Sequence, residues 1–158
     1  MALWQTDFFV VPKRALAAAP APLTADALDA ASWWAGAALP ADYRERLDAA
    51  APRVASSSPE IEAWGADDGN RVEVWREQGR VARVRARVDV RRLDAKFAAG
   101  LLTFVRAADA VLVRADGRVT EPTAGGFGLA LRGSAAWRFV QDPRGALDRL
   151  RAEPLDDD

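Results

Sequence analysis

The stretch "GRVARVRARVDVRR", residues 79–92, sets an arginine at nearly every second position of a run of valine and alanine. Side chains of a strand alternate between its two faces. Ala82, Val84, Ala86, Val88 and Val90 therefore share one face, and Arg83, Arg85, Arg87, Asp89 and Arg91 the other. The preceding "NRVEVWRE" divides in the same way, with Val72 and Val74 against Arg71, Glu73, Trp75 and Glu77. The two runs read as a hairpin with one apolar face and one charged face. Its loop is inferred from what keeps the valines together. A two-residue loop at Gln78-Gly79 sets Val74 opposite Arg83 and mixes the faces. A three-residue loop, 77–79, pairs Val74 with Ala82 and Val72 with Val84, and places Gly79 at the left-handed position. In that register Glu73 faces Arg83, Trp75 faces Val81 and Arg71 faces Arg85.

Working outward, "EIEAWG" reads as a strand joined to this hairpin by the turn Asp67-Asp68-Gly69. Residues 3–11, aromatic and β-branched up to Pro12, read as the first strand. Residues 13–23 read as an alanine–proline connector. Thr24 is placed to cap a helix from 25 to about 35, with Asp26 and Asp29 near its positive end and Gly36 as its stop. A second helix is expected from near Pro40 to Pro52, followed by a loop at 56–59. Asp94 caps an apolar helix over 95–108 whose Phe97, Leu101, Phe104, Val105 and Ala108 form one stripe, expected against the apolar face of the hairpin. Asp116-Gly117 turns a further hairpin, 110–114 with 118–121. The glycine-rich "TAGGFG" reads as a loop leading to a short apolar stretch, one more strand. Ser134 caps "AAWRFV", and Asp142-Pro143 starts a last helix. Strands come in hairpins and helices in separate groups. That predicts an α+β fold with a mainly antiparallel sheet of about five to seven strands and helices on one face and at the ends. Residues 1–153 are expected to form one domain and 154–158 an acidic tail.

Composition removes several functions. The chain has 158 residues and contains no cysteine and no histidine. Thiolate nucleophiles, Ser-His-Asp and Cys-His catalysis, and Cys- or His-based metal centres are thereby excluded. The 22 basic and 23 acidic residues leave a net charge of −1, which gives no pull toward nucleic acid or an anionic membrane. Twenty of the 22 basic residues are arginine, and alanine is abundant, a composition pointing to a GC-rich bacterial genome. The N-terminal "MALWQTDFFVVPKR" has no basic region ahead of its apolar part, and no apolar run approaches the roughly 20 residues of a membrane helix. A cytoplasmic protein is the expectation.

The arginine stripe reads first as a solvated strand face, neutralised by Glu60, Glu62 and Asp89. Its second reading is a surface for an acidic protein partner, with Arg83, Arg85, Arg87 and Trp75 as anchors. Trp33 and Trp34 are expected in tandem on a helix, their side chains about 100° apart, so that one packs at the core edge and the other is free to meet a partner. Trp4, Trp64 and Trp137 read as core. "GGFG" lacks the Lys-Ser/Thr ending of a phosphate loop. Asp67-Asp68 lacks the further acids of a calcium loop. Asp7, inside the first strand, either faces water or pairs with an arginine. No cofactor and no metal are expected, and no catalytic residue is named. The function this favours is non-enzymatic protein–protein binding, of an immunity or accessory type. One alternative is a carboxylate-dependent hydrolase or lyase, which needs convergent acids with a raised pKa. The other is a structural or phage-type component that forms a homo-oligomer.

Overall fold

Gln5–Pro12 (β1) is buried at every position, as a strand is when both faces of its sheet are covered. In this computed structural model, which describes residues 1–152, β1 is an interior strand of a seven-stranded sheet. Its companions are Arg53–Val54 (β2), Ile61–Gly65 (β3), Arg71–Glu77 (β4), Arg80–Asp89 (β5), Ala110–Arg114 (β6) and Val119–Thr120 (β7). The order is β2-β3-β4-β5-β1-β6-β7, and every neighbouring pair is antiparallel. The fold is α+β. The expected acidic tail, 154–158, lies outside the described residues.

The hairpin β4–β5 keeps the predicted faces by a different route. Its loop has two residues, Gln78 and Gly79, both at positive φ (51° and 75°), the backbone that a tight type I′ connection needs. Glu77 then pairs with Arg80 and Arg76 with Val81, but Trp75 pairs with Arg83. Ala82 is skipped, and this bulge restores the parity that the short loop alone would break. The register beyond it differs from the expected one by two residues. Val74 faces Val84, Glu73 faces Arg85 and Arg71 faces Arg87. A two-residue slip leaves every side chain on its own face.

Trp34 explains why the bulge sits there. The β1–β5 pairing stops at Phe9 and Arg85, and Trp34 plugs the gap beyond. Its backbone N–H donates to the Ala82 carbonyl at 3.4 Å and its indole Nε1 to the Val10 carbonyl at 3.0 Å. The expected helix over 25–35 is shorter, Ala25–Ala30 (α2), and Thr24 does cap it, accepting from the Ala27 N–H. The tandem tryptophans therefore sit on a turn. Two further expectations are corrected. The connector after Pro12 contains a short helix, Lys13–Ala17 (α1). The glycine-rich segment is itself helical, Ala124–Arg132 (α5), capped by Thr123 and anchored by Phe127, whose ring lies 5.6 Å from that of Phe8. Burial of Phe127, Ala130 and Leu131 outweighs the helix-weakening effect of three glycines.

The remaining helices are Tyr43–Ala50 (α3), Ala95–Ala107 (α4), Ala135–Gln141 (α6) and Pro143–Ala152 (α7). Asp94 and Ser134 cap α4 and α6 as expected. On one side of the sheet, Phe97, Leu101, Phe104 and Val105 of α4 join Val72, Val74, Val84, Ala86 and Val88 in the main core. On the other side a smaller core unites Phe9, Val11, Val111, Val113 and Leu28, with Leu16, Leu23 and Trp33 against it. This second layer covers β1 and β6. Beyond it lie Arg71, Glu73 and Trp75 of β4 and Arg83, Arg85 and Arg87 of β5, which form the charged stripe.

Where α3 crosses α4, Gly100 lets the backbones meet. A methyl group there would stand 2.5 Å from Ala50 Cβ and 2.6 Å from its Cα. Glycine to alanine within a helix ordinarily stabilises by about 1 kcal/mol, whereas forcing apart a packed contact costs about 1–3 kcal/mol. The obstacle includes backbone, so the cost prevails. Gly100→Ala is expected to lower the urea midpoint without changing the slope of the transition.

Candidate functional site

The arginine stripe is brought together as predicted, but different acids neutralise it. Asp7, buried on β1, accepts from Arg85 at 3.1 Å and from Arg87 at 3.4 Å. Arg83 donates to the Asp29 carbonyl, and its guanidinium lies 3.5 Å from the Asp29 carboxylate and 3.8 Å from Glu77. Glu73 receives Arg71 at 2.7 Å and the Trp75 indole N–H at 2.9 Å. Arg71 also lies 2.7 Å from Asp67, which offsets the like charges of Arg71 and Arg87 set opposite each other. The arginine side chains are 20–30% exposed, so the face is a half-buried ion-pair lattice and not a freely solvated one. Arg83 stacks on Trp75 at 5.2 Å and Arg85 on Phe9 at 5.2 Å.

Of the acids expected to neutralise the stripe, Glu62 is on the opposite side of the sheet. It accepts from the Tyr43 hydroxyl, from Arg44 at 2.6 Å, from Arg53 at 2.7 Å and from Arg76 at 3.2 Å. Burial alone raises the pKa of Glu62, but these hydrogen bonds outweigh it and hold the carboxyl below its ordinary value. Asp89 is 1% exposed and is gripped by Arg91, with Nε at 3.0 Å and Nη2 at 2.7 Å. Glu60 is exposed and takes no part in the stripe.

Among the aromatic candidates, Trp75 is half-buried on the arginine face. Trp34 is 2% exposed, so its ring offers nothing to a partner. Trp33 is half-buried, bonded through its indole N–H to the Leu28 carbonyl at 2.9 Å, and touches both cores. Trp64 is core. Trp137 and Trp4 are only partly buried, which corrects the reading of all three as core.

Trp4 leads to a feature that no single stretch of sequence shows. It walls a cleft of about 720 Å³ at one end of the sheet, together with residues drawn from the segments 50–54, 65–70 and 89–97. The Arg91 guanidinium lies 4.1 Å from the centre of the Trp4 ring. Asn70 ties the rim together, accepting from the Asp89 N–H at 2.9 Å and donating to the Arg92 carbonyl at 3.0 Å. Gln5 holds the neighbouring turn through the Asp68 carbonyl at 3.1 Å. Four segments far apart in sequence meet here, and the only local signal was an aromatic residue just before the first strand.

Every carboxylate with a displaced pKa is displaced downward: Glu62, Asp89 through its hydrogen bonds from Arg91, and Asp116 through those from Arg114. The Tyr43 hydroxyl is pushed up, first by burial and then by Glu62. Among the described residues no group of three or more Asp or Glu is placed to hold a metal ion, and no helix is long and apolar enough to cross a membrane. Compared with family models, curated proteins and solved structures, the chain matches none of them.

Two outcomes follow for the ion pairs. Reversing both Arg85 and Arg87 to Glu surrounds buried Asp7 with like charge, and is expected to cost on the order of 3 kcal/mol in urea unfolding. Asp89→Asn is expected to destabilise the protein at pH 7. Because the native pKa of Asp89 lies below the ordinary value of about 3.8, its contribution is present above that value and lost as the pH falls through the native pKa. Urea midpoints of wild type and variant, compared at pH 7 and near pH 3, should therefore converge in acid.

Proposed function

We propose that this chain is a cytoplasmic bacterial accessory protein of the immunity type, which works by binding another protein on the open face of β3, β4 and β5. The observation that supports this reading is the stack of Arg83 on Trp75. It stands on the part of the sheet that the second apolar layer leaves uncovered, with Ile61, Arg85 and Arg87 also partly exposed on that side. Tryptophan and arginine are the side chains that most often anchor protein interfaces. Arginines already held by Asp7, Asp29 and Glu73 lose little further side-chain freedom on binding. The same acids make the face charge-balanced. The partner that fits is one with an apolar socket for Trp75 ringed by charges of both signs, in place of a uniformly acidic one.

Charge reversal is a poor probe of this surface, because it strips Asp7 of its partners. Trp75→Ala is a better one, with the exposed Leu129→Ala on α5 as the control. Capture from a lysate of the native host, quantified by mass spectrometry and followed by titration, should give one stoichiometric partner. Its affinity should fall by about 30-fold or more in Trp75→Ala, as for an interface hot spot, and hold in Leu129→Ala. A partner bound equally by both variants places the interface elsewhere and overturns this reading.

A further inference from the structure

Glu62 lies on the opposite side of the sheet from the face just described, and it has more cations than it needs. One carboxylate is held by three guanidinium groups, Arg44 at 2.6 Å, Arg53 at 2.7 Å and Arg76 at 3.2 Å. Arg76 and the Tyr43 hydroxyl already satisfy Oε2, and the charge of Arg76 alone balances that of Glu62. Arg44 Nε and Arg53 Nη2 both converge on the other oxygen, Oε1. We propose that Arg44 and Arg53 form a binding site for a dianionic phosphate group.

The two guanidinium groups are gathered and oriented in advance. Because they bond the same oxygen atom, their bonding nitrogens stand no farther apart than those two bonds laid end to end, within the span of one phosphate. Arg44 comes from the first turn of α3 and Arg53 from β2, and each lies over an aromatic ring, Tyr43 at 4.7 Å and Trp64 at 5.4 Å. Those two rings pack edge to face, 6.4 Å apart. Side chains fixed in this way lose less freedom when a ligand arrives. Among the described residues, the remaining guanidinium N–H groups of Arg44 and Arg53 donate to no protein acceptor. Both side chains are about half exposed, so a ligand reaches them. Glu45 and Asp48 of α3 and Glu60 beside β3 all lie beyond 4.0 Å of either guanidinium, and Asp48 is turned to the Trp64 indole N–H at 2.8 Å. Exposed charges out of contact are weakened by water and salt, whereas a phosphate meets two guanidinium forks directly and bidentately. The unfilled, converging donors select the ligand, and two arginines beyond the need of Glu62 match its two charges.

The test is a ¹⁵N-resolved NMR titration of the full chain that follows the Nε–H signals of Arg44 and Arg53. The probes are inorganic phosphate, sulfate, chloride and an end-blocked phosphoserine tripeptide, at constant ionic strength. Phosphate and the phosphopeptide should shift both signals along one saturable curve, with half-saturation below about 10 mM, and chloride should not. Arg44→Gln and Arg53→Gln should each weaken binding by about tenfold, the loss of a charge-assisted hydrogen bond at an exposed site. Arg53→Lys, which keeps the charge without the fork, should recover only part of it. Asp48→Asn should tighten binding by about twofold, a gain that a variant damaged in folding would not show. Lowering the pH from about 7.5 to about 5 protonates phosphoserine, and should weaken the phosphopeptide by up to about tenfold while sulfate is unaffected. Over this interval Glu62, whose pKa is held below its ordinary value, stays ionised, and the chain has no histidine. Tighter binding of the tripeptide than of inorganic phosphate assigns the site to a phosphorylated protein segment, and weaker binding to free phosphate. No saturation, an equal response to chloride, unchanged affinity in both glutamine variants, no gain in Asp48→Asn, or the same pH dependence for sulfate and phosphopeptide each overturns the proposal. Trp75→Ala should leave the titration unaltered, so this result and the one for the open sheet face are independent.

Discussion

The ion pairs of Asp7 with Arg85 and Arg87 are the constraint on which the sheet is built. β1 is buried at all eight positions, and a carboxylate placed there loses several kcal/mol of hydration unless partners restore it. The antiparallel register sets Asp7 directly across from Arg87 and Phe9 across from Arg85. Both arginines thus reach the same carboxylate, and Arg85 also lies over the Phe9 ring. The alternation of arginine along β5 is first of all the complement of a charge inside its neighbour. Slipping β1 by one residue against β5 would turn Asp7 into the main core, away from its arginines, and take Phe8 and Val10 out of that core. The charged lattice therefore specifies register as well as occupying a surface.

Much of the fold was legible because it rests on local rules. The parity of residues 80–90 assigned both faces of β5, and the caps at Thr24, Asp94 and Ser134 are where short polar side chains before apolar runs predict them. What failed was non-local. The loop of the β4–β5 hairpin could not be deduced from parity, since a bulge at Ala82 compensates a short turn, and that bulge depends on Trp34 arriving from outside the hairpin. α5 was missed because glycine content was weighed above the burial that Phe127 finds against Phe8. Within the candidate site, the stripe and Trp75 were legible. The acids that neutralise the stripe were not, because Asp7 and Asp29 are more than 50 residues from the arginines they meet. The Trp4 cleft was invisible for the same reason.

The distribution of committed and uncommitted charge separates the two surfaces by kind. On the open sheet face nearly every arginine is already paired, so what the face offers a partner is shape and stacked aromatic area more than charge. In the cleft, three acids and three cations share the lining with the apolar wall of Trp4, Pro52, Val54 and Phe97.

The two surfaces are nevertheless joined by one short turn. Gly65, Ala66, Asp68, Gly69 and Asn70 line the cleft, and between them the Asp67 carboxylate lies against Arg71 while the Asp67 carbonyl accepts from Arg87 at 3.4 Å. The next residues of that turn are fixed to Gln5 on β1 and to the end of β5. A turn held by both the cleft rim and the arginine lattice cannot shift toward one without loosening the other. The turn is thus tied to β5 at two points, through Arg87 to the Asp67 carbonyl and through the Asp89 N–H to Asn70.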